Sequence, residues 1–546
     1  MASRTPQFNA AATLEAACSI ALADLVGALD PEYLRQQRWF GSKTKPITRL
    51  RLKDYAVIHG GLPCFLLALI EVEYAKFDPE LYSIPLMITD RALPRQALLL
   101  ELKTASEVGF LYEALANDDF CRLLLEKIAH PGAIPAARGS FVFEKTHAFI
   151  RPEAPTVTRS RAEQSNTSII FGDALILKNF RKVEPGTNPD LEISRFLTTK
   201  TDFAHIPLLA GTVEYFSEYA APDSRAAIAL LQRFVPNEGN AWEYTLRHLE
   251  DFYAAAARSP KAQSQLDTSV GSGGGSSRTG PPPAMEEPAA ELMRDYAAEA
   301  SRLGHITGRL HLALASDPRG SEFAPEPIGM PDVQRWITAI VEHVESVFRA
   351  LERSLSSYDP KVQTTAGELI RKKAAYLKKV EELRGLEASQ TCKIRCHGDY
   401  HLGQVLKTAD GFCILDFEGE PLRSLRERRE KASALKDVAG MMRSYHYAAY
   451  AGLFAFAEHH DGERDLLDPW ARAWERQASQ SFLTGYLAEA RFAPAAFVPS
   501  SSELLTRVLS VFLLDKAVYE LNYELNHRPS WLKIPLEGIR VAMELR

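Results

Sequence analysis

Residues 50–235 carry short apolar runs broken by turn residues, whereas beyond residue 290 the apolar residues recur at a helical period. This change of period limits the fold more than any other feature of the chain. Runs such as Asp54–Ile58, Phe65–Tyr74, Leu98–Leu102 and Phe141–Ile150 predict strands. Leu292, Tyr296, Leu303, Ile306, Leu310 and Leu314 instead follow a helical spacing, as do Val333, Trp336, Ile340, Val344 and Val347. Residues 362–385 and 502–526 read the same way, and one strand-like interruption lies at 394–417. The expected class is α+β with two lobes, the first rich in strands and the second in helices. A Gly/Ser/Pro tract at 258–290, with Gly271–Ser277 and Pro281–Pro283, cannot bury enough surface to offset its ordering entropy. It reads as a flexible insertion.

Composition narrows the class further. The 546 residues are 25% charged and 46% hydrophobic, which excludes collagen-like, mostly disordered and membrane-bundle chains. A formal charge of −6 gives no global attraction to nucleic acid or an anionic membrane. Six cysteines form no zinc-like pair of pairs, and the expectation is reduced thiols in the cytoplasm. The stretch 10–29 reads as an amphipathic helix interrupted by Glu15 and Asp24, not as a signal peptide. The strongest apolar run, around Leu66–Ile70, is too short to span a bilayer.

The interruption at 394–417 carries the chemistry. Cys396-His397-Gly398-Asp399-Tyr400-His401-Leu402-Gly403-Gln404 is followed by Phe412-Cys413-Ile414-Leu415-Asp416-Phe417-Glu418. An Asp, an amide side chain five residues on, and a second Asp after a short hairpin form a phosphoryl-transfer layout. Asp399 would accept the hydroxyl proton, and Gln404 and Asp416 would hold Mg2+ against nucleotide phosphates. A second reading makes His397, Asp399, His401 and Asp416 metal ligands of a hydrolase. It predicts no nucleotide loop upstream.

Such a loop is expected upstream. Ser165, Asn166, Thr167 and Ser168 offer small hydroxyl and amide donors. Ile169–Phe171, a Gly172-Asp173 turn and Leu175–Lys178 then read as a two-residue hairpin with a Lys in its second strand. Lys178 would reach the phosphates, and Glu192, on a helix opened by Pro189-Asp190, would orient it. Gln232, Phe234 and Val235, ahead of Pro236, read as a connector whose backbone could pair with adenine.

The order of these parts resembles the eukaryotic-like kinase fold of aminoglycoside and sugar phosphotransferases. The strings 397–406 and Asp416-Phe417-Glu418-Gly419-Glu420-Pro421 are similar to the bacterial maltokinase family. So are Gln37–Lys43 and Lys436-Asp437-Val438-Ala439-Gly440-Met441. The resemblance spans most of the chain. It implies a bilobal fold with an N-terminal cap at 1–98, an intermediate subdomain at 99–235 carrying the nucleotide loop, and a helical C-lobe at 236–546. The 258–290 insertion then falls inside the C-lobe.

It also implies ATP-dependent phosphorylation of maltose to maltose 1-phosphate, feeding α-glucan (glycogen) synthesis from trehalose, with ATP and Mg2+ as co-substrate and metal. A functional or fused link to trehalose synthase goes with it, in a monomer or homodimer. His397 and Glu418 would support the site or contact sugar. Lys516, Tyr519 and Tyr523 are spaced to share one helix face, with Glu520 beside them. Two rings and a cation suit a sugar, since rings stack on its apolar faces. The resemblance makes these the sugar-binding residues. His305 and His311 read as core or surface residues, and Trp39 and Phe40 as cap core. Glucosamine is the alternative acceptor, and a silent kinase-like binding module is the alternative of another class.

Overall fold

Cys64–Tyr74 is almost continuously apolar, and nearly all of it is buried. A strand of that composition belongs in the middle of a sheet with both faces covered. The computed structural model describes residues 13–17, 21–104, 107–160, 165–218, 225–258, 289–317, 322–421, 423–459 and 463–544. Most of the 258–290 tract lies outside them. The described part divides into two units, Met1–Lys200 with Pro207–Pro236, and Thr201–Ile206 with Asn237–Arg546.

The first unit holds two antiparallel sheets. In the first, β1 (Ile47–His59), β2 (Cys64–Tyr74), β3 (Glu80–Ser83), β4 (Leu86–Thr89), β5 (Leu98–Lys103) and β6 (Val108–Glu113) gather around β2. This sheet runs to Glu113, past residue 98 where the sequence places the end of the cap. Leu98–Lys103 continues the sheet because it pairs with Val108–Glu113, and Val108–Glu113 pairs with β4. Trp39 and Phe40 pack on Tyr82 beneath it, as expected of cap core.

The second sheet contains β7 (Gly132–Pro135), β8 (Gly139–Lys145), β9 (Val157–Arg159), β10 (Asn166–Phe171) and β11 (Leu175–Phe180). After β12 (Lys182–Val183), which joins the first sheet at β3, come β13 (Leu209–Ser217) and β14 (Arg225–Arg233). The order is β7-β8-β13-β14-β11-β10-β9. The expected strand over 141–150 stops at Lys145. There the Thr146 hydroxyl takes the Ala148 amide at 3.1 Å and starts a turn. The β10–β11 turn has three residues, Gly172 to Ala174, where two were expected, and Gly172 takes a φ of 61°.

The second unit is helical, with a two-stranded hairpin inside it. Its long helices are Ala241–Ala257, Ala289–Leu314, Met330–Ser354, Leu435–Glu458, Glu463–Ala490 and Ser502–His527, followed by Lys533–Glu544. The helix expected over 362–385 is broken into Pro360–Arg371, Lys373–Val380 and a short turn at Glu381–Leu383. β15 (Glu326–Pro327) pairs with β16 (Cys392–Lys393), and β17 (Val405–Thr408) pairs with β18 (Gly411–Ile414). The amphipathic stretch at the N-terminus forms two short helices, Leu14–Ala17 and Leu22–Gly27, and residues 18–20 between them lie outside the described part. Among the described residues no helix is long and apolar enough to cross a membrane.

Candidate active site

The β17–β18 hairpin brings Gln404, just before β17, and Asp416, just after β18, side by side. The Gln404 amide donates to Asp416 Oδ2 at 3.1 Å. That bond uses the amide nitrogen and leaves the amide oxygen as a ligand atom beside a carboxylate. Hard oxygen donors of this kind fit magnesium. Asp416 takes a φ of 62°, a conformation that costs a non-glycine residue energy and clusters at functional sites.

Asp399 lies on the loop ahead of the hairpin, and that loop is held from one side by helix Leu435–Glu458. Asp437 accepts the His397 amide at 2.7 Å and the Gly398 amide at 3.0 Å. Ser444 Oγ accepts the Leu402 amide at 3.1 Å. Asp437, Gly440 and Ser444 stand three and then four residues apart, so one helix face carries all three. Gly440 is there because nothing larger fits: an added Cβ would lie 2.6 Å from the Tyr400 carbonyl oxygen. Gly440→Ala should push the loop off this face. The expected result is a stability loss of about 1–3 kcal/mol and a fall in kcat of roughly tenfold or more, read by thermal melts and turnover assays.

Asp437 is buried and also takes His311 Nε2 at 3.1 Å, while His311 Nδ1 meets the Tyr486 hydroxyl at 3.0 Å. Burial pushes the Asp437 carboxyl up, but the His311 hydrogen bond and the loop amide hold it below its ordinary range. His311 is thus a core residue, as expected, with a task in holding the loop. His397, expected to support the site or contact sugar, stands as a strut within the loop. It is buried, its Nε2 donates to the Leu415 carbonyl at 2.9 Å, and its Nδ1 faces the Asp399 amide at 3.4 Å. It ties the Asp399 loop to the chain entering Asp416.

Lys516, from helix Ser502–His527, closes on Asp399. Its ammonium lies 3.1 Å from Asp399 Oδ1 and 3.3 Å from Glu420 Oε1. Burial raises the Asp399 pKa, yet Lys516 and His401 more than offset it, and the carboxyl sits below its usual range. The two carboxylates drive Lys516 well above the ordinary lysine value despite its burial. The Lys516 ammonium also stands 4.5 Å from the Tyr519 ring centroid. Tyr523, one turn on, is 44% exposed and stacks on His527 at 4.4 Å.

Glu520, expected among the sugar-binding residues, meets an arginine of a neighbouring helix. Arg443 Nη2 donates to its carboxylate at 2.6 Å, and the neighbouring pair runs from Tyr447 to Glu524. These rungs lock helix Ser502–His527 onto helix Leu435–Glu458. Glu418 stands half-buried between Asp416 and Glu420, and its carbonyl accepts Arg428 at 3.3 Å. Sequence reasoning missed Asp437, Glu420 and Ser444. Asp437 and Glu420 stood within the strings that carried the resemblance, though no role was drawn from them.

In the first unit, Lys178 sits on β11 between β10 and β14. Its ammonium lies 3.0 Å from Asp190 Oδ2, at the start of helix Pro189–Lys200 and two residues ahead of Glu192. Asn166, Thr167 and Ser168 are strand residues and not the expected loop. They pair with Phe180, Asn179 and Lys178, because Thr167, Ile169 and Phe171 extend one alternation. The Thr167 hydroxyl accepts Arg181 Nε at 2.8 Å, and Ser168 is buried. The connection from β9 to β10 runs through 160–165, of which 161–164 lie outside the described residues. Gln232 is in the ladder opposite Ile176, and the Phe234 amide is taken by the Ala174 carbonyl at 2.9 Å. That amide is therefore spent within the unit. Val235 follows it, half-buried, ahead of Pro236.

Comparison with known proteins fits this geometry. Residues 33–117 match the maltokinase N-terminal cap domain family. A glucosamine kinase of Streptacidiphilus jiangxiensis is 25% identical over 440 residues, covering 78% of this chain and 82% of that protein. A glucosamine kinase of Mycolicibacterium smegmatis is 23% identical over 376 residues, covering 68% and 76%. Among solved structures, a glucosamine kinase in complex with glucosamine, ADP and inorganic phosphate aligns with a TM-score of 0.63 at 19% identity. That alignment covers 95% of this chain and 98% of the other. The fold is kinase-like and α+β, with an N-terminal cap. Sugar phosphotransfer is the class of activity these likenesses support.

Proposed function

We propose that this kinase-like chain, related to the maltokinases and glucosamine kinases, transfers the γ-phosphoryl group of ATP to the anomeric hydroxyl of maltose. The product is maltose 1-phosphate, a donor suited to α-glucan synthesis. The observation that carries the reading is the helix face that starts at Lys516, beside Asp399. Lys516 is pinned to Asp399, Tyr519 follows at i+3 and Tyr523 at i+7. At about 1.5 Å per residue, Tyr523 stands about 10 Å along the axis from Lys516. One sugar ring at Asp399 meets Lys516 and Tyr519, and a second ring is needed to reach Tyr523.

In the proposed reaction the acceptor oxygen attacks the γ-phosphorus, its proton passes to Asp399 Oδ, and ADP leaves. Lys516 orients the Asp399 carboxylate and keeps it ionised. Lys178, set by Asp190 and Glu192, binds nucleotide phosphate. Gln404 and Asp416 are the residues that would hold magnesium, which neutralises phosphate charge when bound. Most of the catalytic effect is then positioning and charge neutralisation. The proposed setting is the cytoplasm, and trehalose synthase is the proposed functional partner.

The second reading is an amino-sugar acceptor, favoured by the glucosamine kinases among the relatives and by Glu420, a carboxylate beside the acceptor position. Tyr523→Ala separates the two. For maltose, KM should rise about tenfold, the order of one lost ring contact, with little change for glucosamine or glucose. A panel of sugars with ATP and magnesium reads this out. Turnover of glucosamine but not maltose would replace the first reading with the second. Sugar binding without any turnover would leave only a binding module.

A further inference from the structure

Helices Pro360–Arg371, Leu435–Glu458, Glu463–Ala490 and Lys533–Glu544 border a half-open cavity of about 180 Å³ in the second unit. None of the residues assigned above to phosphoryl transfer or to the acceptor lines it. Its floor is Leu453 and Leu536, both fully buried, with the rings of Tyr450 and Phe454 beside them. Two amines, Lys361 and Lys533, border it from two different helices. Asp468 and Glu537 supply carboxylates, already engaged by Arg472 and Arg540 respectively.

One group here has no task in the fold. The Tyr450 hydroxyl is buried and has no hydrogen-bond partner. A buried phenol left without a partner costs free energy comparable to a lost hydrogen bond, and calls for an explanation. Its surroundings are the charges of Asp468, Glu537 and Arg472, the cavity's own polar lining. The hydroxyl oxygen itself has almost no accessible surface, so it is the Tyr450 ring that meets the cavity.

We propose that this cavity binds a phosphorylated sugar, at a site separate from the one that holds Asp399. A cavity of about 150 Å³ takes a benzene ring, so this one takes one six-membered ring. Carboxylates on the lining disfavour a purely apolar ring and accept the hydroxyls of a sugar. The aromatic pair covers a sugar face. Two amines bordering the same space match a dianionic phosphate better than a neutral or monoanionic group.

Glucose 6-phosphate is the probe, titrated into the full chain by calorimetry with the non-hydrolysable ATP analogue and maltose both present in excess. Saturable binding of glucose 6-phosphate is expected, with inorganic phosphate and glucose each at least tenfold weaker. Lys361→Ala combined with Lys533→Ala should weaken it tenfold or more. Both lysines are exposed or half-exposed, so the double variant should keep its thermal midpoint. Lys516→Ala should leave the titration unchanged. The proposal fails if no saturable binding occurs, or if binding is lost in Lys516→Ala and kept in the double lysine variant. It also fails if inorganic phosphate binds as tightly as the sugar phosphate, since the ring would then contribute nothing.

Discussion

Asp399→Asn is expected to remove sugar phosphorylation, with kcat/KM falling by roughly 10²–10⁴, while the fold and acceptor binding persist. The amide keeps an oxygen for Lys516, and Lys516 keeps Glu420 as a second partner at 3.3 Å. The fold therefore loses a charge but not a contact. On the proposed mechanism, what disappears is the place for the acceptor proton.

The depressed Asp399 pKa makes it a weak base. That suits phosphoryl transfer through a loose transition state, where the proton leaves late and positioning dominates. It also sets a pH signature. Asp399 stays ionised down to below the ordinary aspartate value of about 3.9, so its protonation should cause no loss of rate between about pH 5 and 8. The measurements are initial rates against pH for the parent chain, and calorimetry with maltose for the variant. Normal turnover by Asp399→Asn would remove the base assignment. An acid limb near neutrality that vanishes in the variant would contradict the low pKa.

The parts of the site that could be read from sequence are those whose chemistry is local. Asp399, Gln404 and Asp416 lie within one loop and one hairpin, and their spacing alone states the geometry that brings Gln404 to Asp416. The strand carrying Lys178 is legible for the same reason. What could not be read depends on partners far along the chain. On helix Ser502–His527, Glu520 is rotated about 40° from Lys516 and Tyr523 about 20° the other way. From spacing alone both belong to one face. The difference is Arg443, which lies on another helix and claims Glu520. The sequence of the 502–527 helix contains nothing that announces Arg443.

The same logic covers the nucleotide side and the cap. Asn166, Thr167 and Ser168 have loop-forming side chains, yet Thr167 is also β-branched and in phase with Ile169 and Phe171. Pairing with β11 decided in favour of strand. The first sheet passes residue 98 because β5 and β6 complete it, and strand pairing is not written in either strand alone. Asp190 faced Lys178 in the sequence as plainly as Glu192 did, two residues apart on one helix turn. Only the position of β11 against that helix brings Asp190 to 3.0 Å.

The largest effect on stability is expected at Asp437, which touches no reacting atom. Its carboxylate takes three donors at once: the amides of His397 and Gly398 and the Nε2 of His311. His311 and His397 are buried, so Asp437→Ala leaves their donors without water or partner, while Gly398 lies at the surface. The cost should be about 3–5 kcal/mol, the range for breaking a buried charged contact. Asp437→Asn should cost less, because one amide oxygen can still serve two of the donors. The sign with pH follows from the depressed pKa. The contribution is complete above the unfolded value of about 3.9 and is lost as pH falls through the lower folded value. Denaturant unfolding of the parent should therefore weaken below about pH 4, and Asp437→Asn should show less of that weakening. Activity should fall in both variants even where they are fully folded, because Asp399 rides on the loop that these bonds fix. An Asp437→Ala chain with unchanged stability and kcat would mean that the loop is held elsewhere. The helix face of Gly440 and Ser444 would then be packing, and not the anchor that sets the base against its acceptor.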